Sequence, residues 1–114
     1  MLTIYGERFF IAEPKVRVFL TLHTVRQVRI TRIRIDGSDS SRSHCRVREV
    51  KHFDMTMLTA GAPSTGGDEF VNVATLENTP FSQPLRAGER LTVEIETWAP
   101  DVDVCLVADV EMEP

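Results

Sequence analysis

The sequence predicts an all-β fold in which two antiparallel sheets of seven or eight strands pack as a sandwich or jelly roll. Apolar residues recur at every second position along most of the chain, which is typical of strands with one buried face. The connections between these segments are short, so the strands cannot all be parallel. Prolines lie at the boundaries of the segments, at Pro14, Pro63, Pro80, Pro84 and Pro100. A small closed β-barrel is the alternative architecture.

The chain has room for one domain, residues 1–114, built around one core. Its apolar residues (42%) and charged residues (26%) are in ordinary globular proportion, which excludes a disordered or collagen-like chain. No apolar run could cross a bilayer, so no membrane partner is expected. The first eight residues lack the basic and apolar regions of a secretory signal. Because Cys45 and Cys105 form no disulfide framework, we expect a reducing, intracellular environment.

The first strand is predicted at residues 15–23 and the second at residues 25–35. The apolar residues of the first share one face: Val16, Val18, Leu20 and Leu22. Those of the second change phase halfway along: Val28 and Ile30, then Ile33 and Ile35. One extra residue near Thr31-Arg32 would return both pairs to the same face, so a β-bulge is predicted there.

A loop is predicted next, followed by one strand or two short ones between residues 45 and 59. The turn signal Asp36-Gly37 opens the loop, which is polar throughout residues 36–43. A competing interpretation is a short helix over residues 40–52 that is capped by Ser40, but its apolar stripe is too thin to favour it. Residues 60–68 hold three glycines and a proline and are predicted to form a surface loop.

Three more strands are predicted, at residues 70–77, 91–98 and 102–112, separated by turns and a two-proline connection. In the last strand the even-numbered residues face the core. Its outer face reads Asp101, Asp103, Cys105, Val107 and Asp109. Two residues of low polarity therefore interrupt an acidic face, and we expect either a segment of the same chain (a loop or the N-terminal segment) or a second chain to cover them.

The net charge of −4 conceals two halves of opposite sign. Residues 1–52 carry eleven basic and five acidic residues, whereas residues 53–114 carry two basic and twelve acidic residues. We expect the halves to attract each other, either across the strands of one fold or between copies of the chain. A nucleic-acid partner is not expected, because the chain is acidic overall and its basic residues are not interleaved with aromatic ones.

No catalytic, cofactor or metal site is predicted, and we do not expect an enzyme. The only cluster of metal-ligating residue types is His44, Cys45, His52 and Asp54. On a strand, His44 and Cys45 point to opposite faces and cannot share an ion. His52 and Asp54 do share a face, but two ligands are too few for a metal site. Cys45 is the more reactive cysteine candidate, because Arg42 and Arg46 would lower the pKa of its thiol. A structural cysteine is nevertheless the favoured interpretation.

Seven residues are candidates for contacts with another chain: Arg29, Arg32, Arg34, Phe81, Trp98, Cys105 and Val107. The three arginines lie along one strand, where they either keep a sheet edge from pairing with other chains or dock onto an acidic strand of a second copy. Phe81 and Trp98 lie at loop ends, where aromatic side chains pack at the rim of a core or anchor an interface.

The segment Pro84-Leu-Arg-Ala-Gly-Glu-Arg-Leu-Thr-Val-Glu-Ile-Glu-Thr97, with the closing strand 102–112, resembles the C-terminal hairpin of small all-β virion proteins of bacterial viruses. These are single jelly-roll capsid or decoration proteins, and the resemblance covers about thirty residues. It implies a structural protein whose partners are copies of itself and other virion proteins, assembled in the host cytoplasm.

Two other functional classes stay open. The first alternative is a small β-sandwich that binds a carbohydrate or a protein ligand. Sugar recognition favours exposed aromatic platforms, and a chain with one Trp and one Tyr offers few of them. A small hydrolase or isomerase built on a barrel is the least favoured class.

Overall fold

The computed structural model describes residues 2–15, 17–52, 55–59 and 71–112. The elements in chain order are β1 (Leu2–Ile11), β2 (Val18–His23), β3 (Val28–Gly37), α1 (Asp39–Ser43), β4 (Cys45–His52), β5 (Met55–Thr59), β6 (Val71–Asn72), α2 (Val73–Glu77), β7 (Gln83–Leu85), β8 (Arg90–Thr97) and β9 (Val102–Met112). Seven of the strands have five residues or more, and β6 and β7 are short additions. No helix in the described part of the chain is long and apolar enough to cross a membrane.

The strands form two antiparallel sheets, one in the order β1-β9-β3-β7 and the other in the order β2-β8-β4-β5, with β6 also paired to β4. The pairing is nested: β1 pairs with β9, β2 with β8, β3 with β7, and β4 with β5. This is the order produced when one long antiparallel hairpin is rolled into two sheets, which is the jelly roll. The predicted all-β sandwich is therefore confirmed, and the arrangement is two stacked sheets rather than a closed barrel.

The core lies between the sheets and is built from alternate residues, as predicted. In β8 the inward residues Leu91, Val93 and Ile95 are fully buried, and in β2 Leu20 and Leu22 are equally buried. Each such side chain contributes about 1.5–3 kcal/mol when it leaves water. Alternation of side chains on a pleated backbone is thus sufficient to explain which residues form the core.

The predicted β-bulge in β3 is confirmed. The register between β3 and β9 shifts between Ile30 and Arg32. Because of this shift, the apolar residues before and after it all reach the core: Val28, Ile30, Ile33 and Ile35. The bulge resolves the phase change that is visible in the sequence.

The predicted loop at residues 36–43 is wrong in two respects. β3 continues through Gly37, and the next residues form the five-residue helix α1. Ser38 caps this helix, since its side-chain oxygen accepts a hydrogen bond from the Ser41 N–H at 3.1 Å. The competing helix over residues 40–52 is also wrong, because α1 ends at Ser43 and residues 45–52 are the strand β4.

The strand predicted at residues 70–77 is wrong for most of its length. Phe70 lies outside the described residues; among residues 71–77 only Val71–Asn72 is extended, and residues 73–77 form α2. The side chain of Asn72 accepts a hydrogen bond from the Thr75 N–H at 2.7 Å and so caps the helix. This local bond outweighs the strand preference of the neighbouring valines. Phe53, Asp54 and the predicted loop at residues 60–68 lie outside the described residues.

The alternation of β9 predicts one buried face and one exposed face, but the structure shows buried residues on both faces. The even-numbered residues from Val102 to Val110 are buried as predicted, but Met112 is exposed. On the outer face, Val107 and Asp109 are almost fully buried as well. The cover comes from within the chain, because β9 lies between β1 and β3 in the middle of the sheet.

Candidate functional site

The two oppositely charged halves of the chain pair with each other within the fold. Six ion pairs among the described residues join a basic residue of the first half to an acidic residue of the second: Arg8–Asp103, Arg17–Glu94, Arg34–Asp109, Arg42–Glu77, Arg46–Glu96 and Arg48–Glu94. Glu94, Glu96 and Asp109 thus have partners in their own chain, whereas Glu111 of β9 is exposed. Exposed pairs of this kind each contribute at most about 1 kcal/mol.

The predicted row of arginines lies on the outer face of the four-stranded sheet. Arg29 donates to the carbonyl and hydroxyl oxygens of Ser82 at 3.3 and 3.1 Å, and Arg34 donates to Asp109 at 2.9 Å. Arg32 is exposed. Two of the three arginines therefore make contacts within their own chain.

Of the other four interface candidates, Cys105 and Val107 lie together on the outer face of β9, where Val107 is opposite Arg34, and Phe81 and Trp98 lie elsewhere. Cys105 is half-buried and its thiol donates to the carbonyl oxygen of Gly6 at 3.3 Å, while Val107 is buried. Phe81 packs against the core, and only Trp98 is well exposed. The structure does not bring the seven predicted residues together into one surface.

Trp98 lines an open cavity of about 470 Å³ together with residues of α1 and α2. The Arg46 guanidinium lies 5.2 Å from the centroid of its ring, and the His44 ring meets it edge-on at 6.4 Å. The amide of Asn72, which also lines the cavity, is engaged in capping α2. One face of the only tryptophan is thus taken by a cation of the same chain.

The predicted metal-ligand types do not converge. His44 is the C-cap of α1, and its Nδ1 lies 2.8 Å from the carbonyl oxygen of Ser40. His52 lies at the far end of the strand, between Glu89 at 3.1 Å and Gln83 at 3.0 Å. Across residues 2–15, 17–52, 55–59 and 71–112, no group of three or more His, Cys, Asp or Glu side chains is placed to hold a metal ion.

The suggestion that Cys45 is the reactive cysteine is wrong. Its side chain is buried, and burial raises the pKa of the thiol to about 11 although Arg42 lowers it. Arg42 and Arg46 form ion pairs with Glu77 and Glu96, so they do not offset the rise in the Cys45 pKa that burial causes. Cys45 is a structural residue of the core.

We expect iodoacetamide at pH 8 to modify Cys45 about 100-fold more slowly in the native protein than in the unfolded one, because the thiolate fraction falls tenfold for each unit by which the pKa rises. Peptide mapping by mass spectrometry measures this ratio for each cysteine separately. Equal rates in the native and urea-unfolded protein would contradict the buried position of the thiol.

The most distinctive surface is one that the sequence analysis did not identify. β1 and β2 lie at the same side of the sandwich and pack against each other, one at the end of each sheet. Among the described residues β1 has a paired neighbour only in β9, and β2 only in β8. Within its own sheet each strand therefore has one edge without a paired strand, and the two strands lie close together.

Gly6 allows this close approach of β1 to β2. A Cβ atom at Gly6 would lie 2.6 Å from the carbonyl oxygen of Thr21 and 3.3 Å from that of Leu106. A backbone oxygen cannot move aside as a side chain can, so a glycine is needed here. Next to it the register between β1 and β9 shifts, between Tyr5 and Arg8, which makes Gly6-Glu7 a bulge in the edge strand.

Large apolar side chains are exposed along these two strands. We call the following residues the β1–β2 surface, with their exposed fractions: Leu2 50%, Tyr5 66%, Phe9 37%, Phe10 62% and Phe19 48%. On β2 the guanidinium of Arg17 lies 5.9 Å from the centroid of the Phe19 ring. Tyr5 and Phe10 lie on the outer face of the four-stranded sheet, and Phe19 lies on the outer face of the five-stranded sheet. Exposed apolar side chains beside strand edges are typical of surfaces that bind another protein.

The signal for this surface is present in the sequence. Leu2 and Ile4 alternate in one phase and Phe9 and Ile11 in the other, which is the same pattern that predicted the bulge in β3. The strands predicted from the sequence begin at residue 15, so β1 was missed although its pattern is readable. Comparison of the chain with protein-family models, with curated proteins and with solved structures finds no match.

Proposed function

We propose that this protein is a non-enzymatic assembly protein that works through contacts with copies of itself, as a structural component of a bacteriophage virion. The observation that carries the proposal is the β1–β2 surface, where the edge strands of the two sheets lie next to each other and carry five exposed large apolar side chains. Burying such side chains against a second chain removes apolar area from water and stabilises an assembly.

The virion part of the proposal rests on the resemblance of the C-terminal hairpin to small capsid and decoration proteins. The strand order adds support, because viral capsid domains use the jelly roll. Lectins and cupins use the same fold, so the fold alone does not assign a function. Within this proposal the protein assembles in the host cytoplasm, with other virion proteins as further partners.

The alternative of a carbohydrate-binding module is less well supported. It depends on Trp98, the one exposed tryptophan, and a sugar ring would have to stack on the face opposite Arg46. No comparable feature competes with the β1–β2 surface in the described part of the chain.

Replacing Phe10 by lysine is expected to weaken self-association roughly tenfold to a hundredfold, the equivalent of the roughly 1.5–3 kcal/mol that a buried phenylalanine contributes. Sedimentation velocity over a range of micromolar concentrations measures the dissociation constant. Val25→Lys is the matched control, because Val25 is almost fully exposed but lies outside the β1–β2 surface, in the connection between β2 and β3. A wild-type protein that stays monomeric at every concentration would overturn the proposal.

A further inference from the structure

We propose that β1 pairs antiparallel with β1 of a second copy about a two-fold axis at Gly6-Glu7, so that two four-stranded sheets become one sheet of eight strands. In this register Tyr5 of one copy lies opposite Arg8 of the other, and Leu2 lies opposite Ile11. The inference rests on the proposed function and specifies the interface through which the copies meet.

The bulge in β1 gives the strand a face pattern that matches itself. The outward residues, identified by their partners on the outer face of β9, are Thr3, Tyr5, Arg8 and Phe10. They are odd-numbered before the bulge and even-numbered after it. Suppose that the strand lies antiparallel to β1 of a second copy. Outward residues of one copy then lie opposite outward residues of the other only in registers that place odd-numbered residues opposite even-numbered ones.

Among those registers, the one centred on Gly6-Glu7 pairs all ten residues of the strand. It sets outward residues opposite outward residues and core-facing residues opposite core-facing ones over the whole length. A shift by two positions in either direction leaves two residues of each copy without a partner. The strand is thus most complementary to itself in a single register, as an isologous two-fold interface requires.

The side chains that meet in this register suit each other. On the core-facing side the pairs are apolar throughout: Leu2 with Ile11, and Ile4 with Phe9. On the outward side Tyr5 meets the Arg8 guanidinium, a favourable cation–π pair. Gly6 lies opposite Glu7, whose side chain is exposed in the single chain. The two-fold axis repeats each pair, which doubles its contribution.

An open cavity lies at the end of β1, where the register places Leu2 of the second copy. It has a volume of about 430 Å³ and is lined by Phe9, Ile11, Val18 and residues of the intervening connection. Leu2 is half exposed in the single chain, and in the pair it lies next to this cavity. The cavity lining also includes the charged residues Glu13, Lys15 and Arg17, so the pairing covers the apolar part of the cavity together with the Leu2 side chain.

The charge of the surface also favours a second copy over a charged partner. The centre of the pairing carries one Glu7 and one Arg8 from each copy, which sum to zero. Arg8 already donates to Asp103 at 2.8 Å, so its charge has a counterion in its own chain. A strongly acidic or basic partner therefore finds no excess of opposite charge here.

The test is cysteine cross-linking between two variants, both in a Cys105→Ser background because Cys105 is paired with Arg8 and partly exposed. Thr3→Cys and Phe10→Cys are mixed in equal amounts, so that in a mixed dimer the two cysteines lie opposite each other with Cβ atoms about 5 Å apart. Mild oxidation is expected to cross-link about half of the chains, the fraction that random exchange places in mixed dimers.

Three controls define the register. Each variant oxidised alone is expected to give no cross-link, because the two copies of residue 3, or of residue 10, lie at opposite ends of the pairing. A mixture of Thr3→Cys with Tyr5→Cys is also expected to give none, since both positions are in the same half of the strand. If circular dichroism shows that Thr3→Cys does not fold, Tyr5→Cys mixed with Arg8→Cys tests the same register.

The outcomes separate this inference from the proposed function. A cross-link in the test mixture alone supports the two-fold register. Oligomers in sedimentation without that cross-link, or with a cross-link in the Thr3–Tyr5 control, overturn the β1–β1 pairing and leave the assembly function standing. A protein that is monomeric in sedimentation and forms no cross-link overturns both.

Discussion

Replacing Asp109 by alanine is expected to lower the free energy of unfolding by about 3 kcal/mol. The Asp109 carboxylate is 5% exposed and accepts hydrogen bonds from Arg34 at 2.9 Å and from the Thr3 hydroxyl at 3.3 Å. Its removal leaves the Arg34 cation without a partner against the surface of the sheet, which costs about 3–5 kcal/mol for a buried pair. The lower end applies because the Arg34 side chain is 36% exposed and keeps part of its water.

Urea unfolding followed by circular dichroism measures this loss, with the slope of the transition checked for two-state behaviour. Asp103→Ala is the matched control, because Asp103 lies on the same face of β9 but its pair with Arg8 is exposed. We expect that control to change stability by about 1 kcal/mol or less. The double variant Arg34→Met with Asp109→Leu should recover most of the loss, since no charge is then left alone. A loss no larger than that of Asp103→Ala would contradict the structural role of Asp109.

The second large effect is expected in the core, where Ile33→Ala should lower the free energy of unfolding by about 2–5 kcal/mol. Ile33 follows the bulge of β3 and is fully buried between the sheets. The cost has two parts: three side-chain carbons no longer leave water on folding, and the rigid neighbours leave a cavity. Because both sheets are held by long ladders, little collapse of that cavity is expected.

Chemical denaturation gives the size of this effect directly, from the shift of the midpoint at constant slope. Val25→Ala supplies the comparison, because Val25 is exposed and its truncation should cost about 0.5 kcal/mol or less. A change in the free energy of unfolding as small as that of Val25→Ala would mean that the residues of β3 after the bulge do not lie in the core.

The sequence predicted the strands well because the period of two is a local property. The phase change between Ile30 and Ile33 was sufficient to predict a bulge, and the same pattern in Leu2–Ile11 was equally readable. The two short helices were missed because each depends on a single capping side chain, Ser38 or Asn72, within a segment of strand-like composition. A hydrogen bond of this kind competes with the strand without changing the apolar pattern.

The β1–β2 surface could not be predicted in the same way, because which strand lies at the edge of a sheet depends on the order of the strands in the fold. No local pattern tells that β1 lies at the end of its sheet or that β2 lies beside it. Likewise, Arg34 and Asp109 are 75 positions apart, so the sequence could not tell whether the arginine meets its own chain or another. The charge asymmetry predicted that acidic and basic strands attract each other, and only the strand order decides that they do so within one molecule.

The nested pairing of the strands has a consequence for how the chain folds. β1 bonds to β9, and one hydrogen bond, from Thr3 to Asp109, spans 106 positions. During synthesis on a ribosome, β1 therefore cannot pair until residues 102–112 of β9 have been synthesised. Domains dominated by such distant contacts fold in milliseconds to seconds rather than microseconds. During that interval the aromatic residues of β1 are exposed to other nascent chains, so the segment that we propose to join mature copies is also one to which a chaperone can bind.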